Sequence, residues 1–297
     1  MSNLFMRIFD GHPQLEQRDY FYFNAHLFGP EHQVSTPREA FTMMPGFDKW
    51  QEMTYQKALE DCQGFIKSVE EQGKIPLIKD HAYQLFPPLF PPATPPPVPS
   101  ITDPKIDSPS SEDNNAPNPT YLPTRWLLTF TPILIIRHPA YIVPSFVRAN
   151  SKTRTISLDD PEFAACCAFK SLVKLMEFYR ANGIEPIVID GGRLVNETKR
   201  VISTLCEKVG IDESLVKYEW ETKNLPPGPA GTMMDAFVGT ISRSTGVIRE
   251  RGGDKVVDLD EQVKKWEDEW DEETAKGMAK VAKDAMADYE HLLGYAI

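Results

Sequence analysis

The stretch Thr131–Ile136, TPILII, limits the fold more than any other part of the chain. It is short and nearly continuous in apolar and β-branched residues. That pattern suits a central strand of a parallel sheet covered on both faces. A helix is expected from about Ala140 to Ala149. A long helix is expected over 161–182, with Phe163, Cys167, Leu172, Leu175, Met176 and Tyr179 available for burial, closed by Asn182-Gly183. Glu185–Asp190, EPIVID, repeats the strand signal. Gly191-Gly192-Arg193 reads as the turn after it, and a helix over 196–209 is capped by Asn196 and ended by Gly210. Such alternation predicts a layered α/β fold with crossover connections.

Upstream, residues 2–9 read as a helix, so the chain starts on a helix with no strand before it. Residues 14–50 are aromatic and irregular, and strand fragments and loops are expected there. The spacing of Tyr55, Leu59, Cys62, Phe65, Ile66 and Val69 predicts a helix over 54–72. Ile75–Lys79, IPLIK, is then a short buried strand. Residues 87–120 hold twelve prolines with many Ser, Asp and Asn, and read as a disordered surface insertion in a single domain spanning 1–297. Leu259–Leu293 reads as a long charged helical region whose stripe of Trp266, Trp270, Met278, Val281, Ala285 and Tyr289 packs within the molecule or forms a homodimer contact.

Composition narrows the function. A formal charge of −11 disfavours wrapping a nucleic-acid backbone, which calls for a basic surface. Four cysteines without paired spacing argue against a secreted disulfide scaffold, and no CxxC or HxxxH pattern suggests zinc. The longest apolar run, Trp126–Ile136, is too short to span a bilayer. The start lacks the pattern of a signal peptide. These features together predict a soluble cytoplasmic protein that partners neither membrane nor nucleic acid.

Three segments carry the chemistry: Lys79-Asp80-His81 after IPLIK, Arg137-His138-Pro139 after TPILII with Ser145 in the following helix, and Asp190–Ile211. Open α/β sheets place ligands at the C-terminal ends of their strands. His81 suits proton transfer near neutrality, Arg137 a bidentate phosphate contact, and Ser145 an added hydroxyl donor. Each has a structural alternative: His81 as a packed strand-end residue, Lys79 solvating the strand end, and Arg137 in an ion pair with Asp190 or Asp80.

At these positions the chain resembles the sulfotransferase family, more specifically its divergent fungal and bacterial branch. IKDHAYQLFPP resembles the family's Lys-Thr-His-Leu-Pro strand end, with Asp80 in place of Thr. RHPAYIVPSF resembles its Arg-Asn-Pro turn followed by a helical Ser. The resemblance implies a three-layer P-loop-type α/β fold with a parallel sheet flanked by helices. It also implies sulfuryl transfer from 3′-phosphoadenylyl sulfate (PAPS) to a small hydroxylated acceptor, without a metal. His81, with Lys79 beside it, would be catalytic, and Arg137 and Ser145 would hold the 3′-phosphate. Arg249 or Arg251 would stand for the family's Arg-Lys-Gly clamp. The family's first strand and phosphate-cradling loop are not seen ahead of Ser2-Asn3, so an N-terminally truncated fold is expected. The alternative is a non-sulfating relative that binds a small molecule or catalyses another step of secondary metabolism.

Overall fold

A computed structural model describes residues 1–43, 46–88, 96–103, 116–151, 157–222, 233–248 and 257–297. In chain order the main elements are α1 (Ser2–Ile8), β1 (Leu15–Asp19), α2 (Tyr55–Glu70), β2 (Ile75–Lys79), β3 (Ile133–Ile136), α3 (Pro139–Asn150), α4 (Pro161–Cys167) and α5 (Lys170–Ala181). After these come β4 (Ile187–Asp190), α6 (Gly191–Asn196), α7 (Thr198–Val209), α8 (Met233–Arg243), α9 (Leu259–Glu269), α10 (Glu272–Asp284) and α11 (Met286–Leu293). Their contacts fall into two compact units.

One unit comprises residues 13–132 and 171–186. Here β1 and β2 pair in parallel, from Leu15 opposite Ile75 to Asp19 opposite Lys79. Helix α2 connects them. It starts where the Thr54 hydroxyl accepts the Lys57 N–H, leaving one orphan helix donor satisfied. Its Tyr55, Ala58, Leu59 and Cys62 recur at three- and four-residue spacing and are buried against Phe21, Tyr22, Trp126, Leu127, Phe178 and Tyr179. Gly29 lets the segment ahead of α2 pass close by: a Cβ on it would stand 2.0 Å from the Met53 carbonyl oxygen. Gly29→Ala is therefore expected to destabilise the protein by ~3 kcal/mol, since backbone must move to admit the methyl. A urea midpoint unchanged from the parent would contradict this packing.

Parts of the proline-rich tract are described. Gln33 Nε2 donates to the Pro97 carbonyl, Ser100 N–H to Glu31, and Thr102 N–H to Gln56. Ile101 packs on the core.

The second unit comprises residues 1–12, 133–170 and 187–297. In it β3 pairs in parallel with β4, Ile133 opposite Ile187. Every residue of β4 is buried. Ala296 bridges to Val188, and the Ile297 N–H donates to the Val188 carbonyl. A core of Val143, Phe163, Trp266, Met278 and Ala282 joins α3, α4, α9 and α10. The stripe read from the sequence is thus buried within this unit at Trp266, Met278, Val281, Ala285 and Tyr289.

The α/β class and the parallel pairing are as expected, but among the described residues the strands form two two-stranded sheets rather than one, with β1 bonded to β2 and β3 to β4. Three local expectations are also corrected, and a fourth is resolved more finely. The helix over 161–182 breaks at Ala168, which turns extended (φ −85°, ψ 161°) and lets Phe169 bury its ring 5.8 Å from Tyr289. Gly191-Gly192-Arg193 is no simple turn but the start of α6, because the Asp190 carboxylate accepts the Arg193 N–H at 3.0 Å. Glu197, not Asn196, precedes α7, and no side chain caps it. The charged region after Leu259 is three helices, with α10 restarted by Asp271, whose carboxylate accepts the Thr274 N–H.

Candidate functional site

The parallel register of β1 and β2 brings two chain segments side by side at their C-terminal ends. Lys79 is buried, and its ammonium lies 2.8 Å from the Asp19 carboxylate and 4.3 Å from the centre of the Tyr20 ring. Tyr20 sits at φ 60°, a left-handed conformation that costs a residue with a Cβ ~1–2 kcal/mol. Its N–H donates to the Lys79 carbonyl at 2.7 Å. That conformation coincides with a ring stacked on His81 at 5.4 Å and 28°. Tyr83 stacks on the same imidazole at 5.6 Å and 24°. The strain falls where the imidazole is held, as backbone strain at working sites commonly does.

Asp80 turns back toward β1 and accepts the Phe21 N–H at 3.0 Å, tying the two strand ends together. Burial raises its carboxyl to about 7, opposed by the N–H donors of Phe21 and Tyr22. Burial, with the nearby Lys79 charge, lowers His81 to about 4. At neutral pH His81 is therefore an uncharged imidazole, and the same burial makes it a weaker base than a free one.

The Asp80 carboxyl binds its proton in the folded chain up to about pH 7 but in the unfolded chain only below about 4. Folding stability from this group thus falls as pH rises between those values. Asp80→Asn, which cannot ionise, is expected to match the parent near pH 4 and exceed it by ~4 kcal/mol at pH 8. Denaturation midpoints at both pH values check this, and a difference that does not change with pH would contradict it.

In the second unit, Arg137 follows β3 and precedes α3. The guanidinium lies 5.2 Å from the centre of the Tyr141 ring, and Arg137 is half-buried. His138 Nδ1 accepts the Ala140 N–H and caps α3, while Pro139 takes the first helical position, where no N–H is needed. Gly191 allows α6 to start against the end of β3: a Cβ there would lie 3.2 Å from the Ile136 carbonyl oxygen and 3.4 Å from Arg137 Cγ. Asp190 accepts from the Arg193 N–H and the Tyr289 hydroxyl. Ser145 is half-buried within two turns of the start of α3.

His81 and Lys79 thus belong to one unit, and Arg137 and Ser145 to the other. Arg249 and Arg251 lie outside the described residues. Among the described residues no cluster of three metal-ligating side chains occurs, and no helix is long and apolar enough to cross a membrane. Sequence reasoning missed Asp19, Tyr83 and the stacking on His81 of Tyr20, read there only as the start of an aromatic segment lining a pocket or the core. Aligning the two strand ends, Arg18-Asp19-Tyr20 against Ile78-Lys79-Asp80, was the signal that could have found Asp19 and the place of Tyr20.

No family model matches the chain, and no solved structure matches it. Two curated proteins do. The chain is 26% identical over 265 residues to Sulfotransferase ppzF of Metarhizium majus, covering 80% of this chain and 74% of that protein. It is 25% identical over 265 residues to Sulfotransferase ppzF of Metarhizium rileyi, with the same coverage. This distant homology supports a broad sulfotransferase-superfamily relationship.

Proposed function

We propose that this chain is a sulfotransferase of P-loop-type fold that moves a sulfuryl group from PAPS to the hydroxyl of a small molecule. The observation that carries the reading is His81, an uncharged imidazole directly after a parallel strand and Lys79-Asp80, held in a stack with Tyr20 and Tyr83. The names of the two Metarhizium relatives support it. A single domain over 1–297 and a cytoplasmic place of action go with this proposal.

When bound, the donor supplies the sulfuryl group, whose bond to the bisphosphate nucleotide breaks as the bond from the acceptor oxygen to sulfur forms. His81 takes the acceptor's hydroxyl proton, so that oxygen attacks without carrying a full positive charge afterwards. Lys79 offsets negative charge that builds near the strand end. The fork of Arg137 and the hydroxyl of Ser145 donate to the 3′-phosphate, with Arg249 or Arg251 as a further phosphate contact.

A second reading is a small-molecule-binding relative that transfers nothing. The Lys79–Asp19 ion pair favours it, because the carboxylate offsets the positive charge an incoming anion would meet. Incubation with sulfur-35-labelled PAPS and a panel of phenols and alcohols separates the two. The first reading predicts a labelled sulfate ester; folded protein that labels no acceptor contradicts it and leaves the second.

A further inference from the structure

Gln84 is fully buried, and among the described residues neither the nitrogen nor the oxygen of its side-chain amide has a hydrogen-bond partner. Its backbone is satisfied. The N–H donates to the His81 carbonyl at 3.0 Å, and the carbonyl accepts the Tyr55 hydroxyl at 2.7 Å. A position needing only packing would hold an apolar residue of similar size, since a buried amide with neither partner is costly. Buried polar groups in native proteins that no protein group matches call for an explanation, and a ligand is one.

The local geometry says where such a ligand would lie. Residues Ala82–Leu85 form a single 3₁₀ turn with His81 as its N-cap. His81 itself is extended (φ −85°, ψ 123°), and the Gln84 N–H that donates to its carbonyl closes the turn between the two residues. Asp80 Oδ1 is a second buried oxygen without a partner among the described residues. The surrounding side chains are flat. Tyr20 and Tyr83 stack with His81, and the His26 ring lies 5.6 Å from Tyr83. Flat rings favour a flat ligand by offset or edge packing.

We propose that Gln84 reads the ligand beside His81, and that this ligand is a planar, hydroxyl-bearing ring carrying an amide N–H and C=O side by side. A carboxamide offers one acceptor and a donor in the spacing that a ring amide complements, so two parallel hydrogen bonds form. The inference rests on the sulfotransferase reading only in taking the ligand's hydroxyl as the acceptor.

The test is calorimetric titration of the full chain, without nucleotide, using 3-hydroxypyridin-2(1H)-one and phenol as probes. The pyridone is expected to bind at least tenfold more tightly than phenol. In Gln84→Leu that preference falls to within about twofold while phenol binding is unchanged. Gln84→Met, which keeps the length but has neither the amide donor nor its carbonyl acceptor, gives the same loss. Without ligand, Gln84→Leu is expected to melt above the parent, because it removes an unmatched amide. A purely structural Gln84, or one matched by bound water, would instead make that variant melt lower, which overturns the proposal. Equal binding of the two rings by the parent, no pyridone binding, or a preference that survives in both variants also overturns it. Pyridone preference in a protein that ignores adenosine 3′,5′-bisphosphate upholds this inference and sinks the sulfuryl reading, so the two fail separately.

Discussion

Replacing His81 with glutamine is expected to lower sulfuryl transfer ~10²–10⁴-fold, the usual contribution of a positioned general base. Nucleotide affinity should stay within about threefold, because the proposed phosphate contacts are elsewhere in the chain. The charge state of the imidazole sets the effect. A protonated imidazole cannot accept the acceptor's proton, and burial with the Lys79 ammonium holds His81 down to about 4. The rate of the parent should therefore be level through neutrality and fall only as pH drops toward about 4. The glutamine variant should lack that limb. Folding runs in the same direction: a group with a lowered folded pKa loses its stabilisation as pH falls from its unfolded value near 6.5 toward 4. Rates must accordingly be read on protein shown to be folded at each pH. A variant within threefold of the parent would remove His81 from the chemistry.

Arg137→Ala is expected to weaken adenosine 3′,5′-bisphosphate binding ~100-fold, or ~3 kcal/mol, the scale of a charge-assisted two-bond contact to phosphate. Arg137→Lys keeps the charge but not the fork and should recover only part of the loss. The melting temperature should change little, since the residue is half-buried and its guanidinium faces an aromatic ring rather than the apolar core. Calorimetry on both variants checks this. Equal affinity in Arg137→Ala and the parent would assign the segment to helix capping and packing alone.

Three strands were legible from their apolar runs, although IPLIK, expected to be buried, exposes Ile75 and fully buries only Lys79. IPLIK, TPILII and EPIVID read as strands because parallel strands need continuous apolar runs. LEQRD did not, because burial falls from Leu15 to an exposed Arg18 and Asp19, and only its pairing with β2 makes it a strand. The break at Ala168 was hidden because alanine is a strong helix former; what turns the chain is the burial of Phe169 beside Tyr289. Likewise nothing in GGR announces a helix, whose start depends on Asp190 as its cap.

The site divides in the same way. The place of Lys79 and His81 at a strand end was legible from IPLIK, and their proposed roles come from the family resemblance. Tyr20 was not, because no propensity places tyrosine at positive φ, and the conformation exists only where β1 and β2 end together. Gln84 gave no signal at all, since one glutamine in a loop is unremarkable until its amide is seen buried and unmatched.

The most direct measurement is calorimetric titration of the purified chain with adenosine 3′,5′-bisphosphate, alongside a thermal melt to show that it is folded. The account predicts saturable binding with Kd on the order of micromolar, ~8 kcal/mol. A cooperatively melting protein that shows no binding would contradict it.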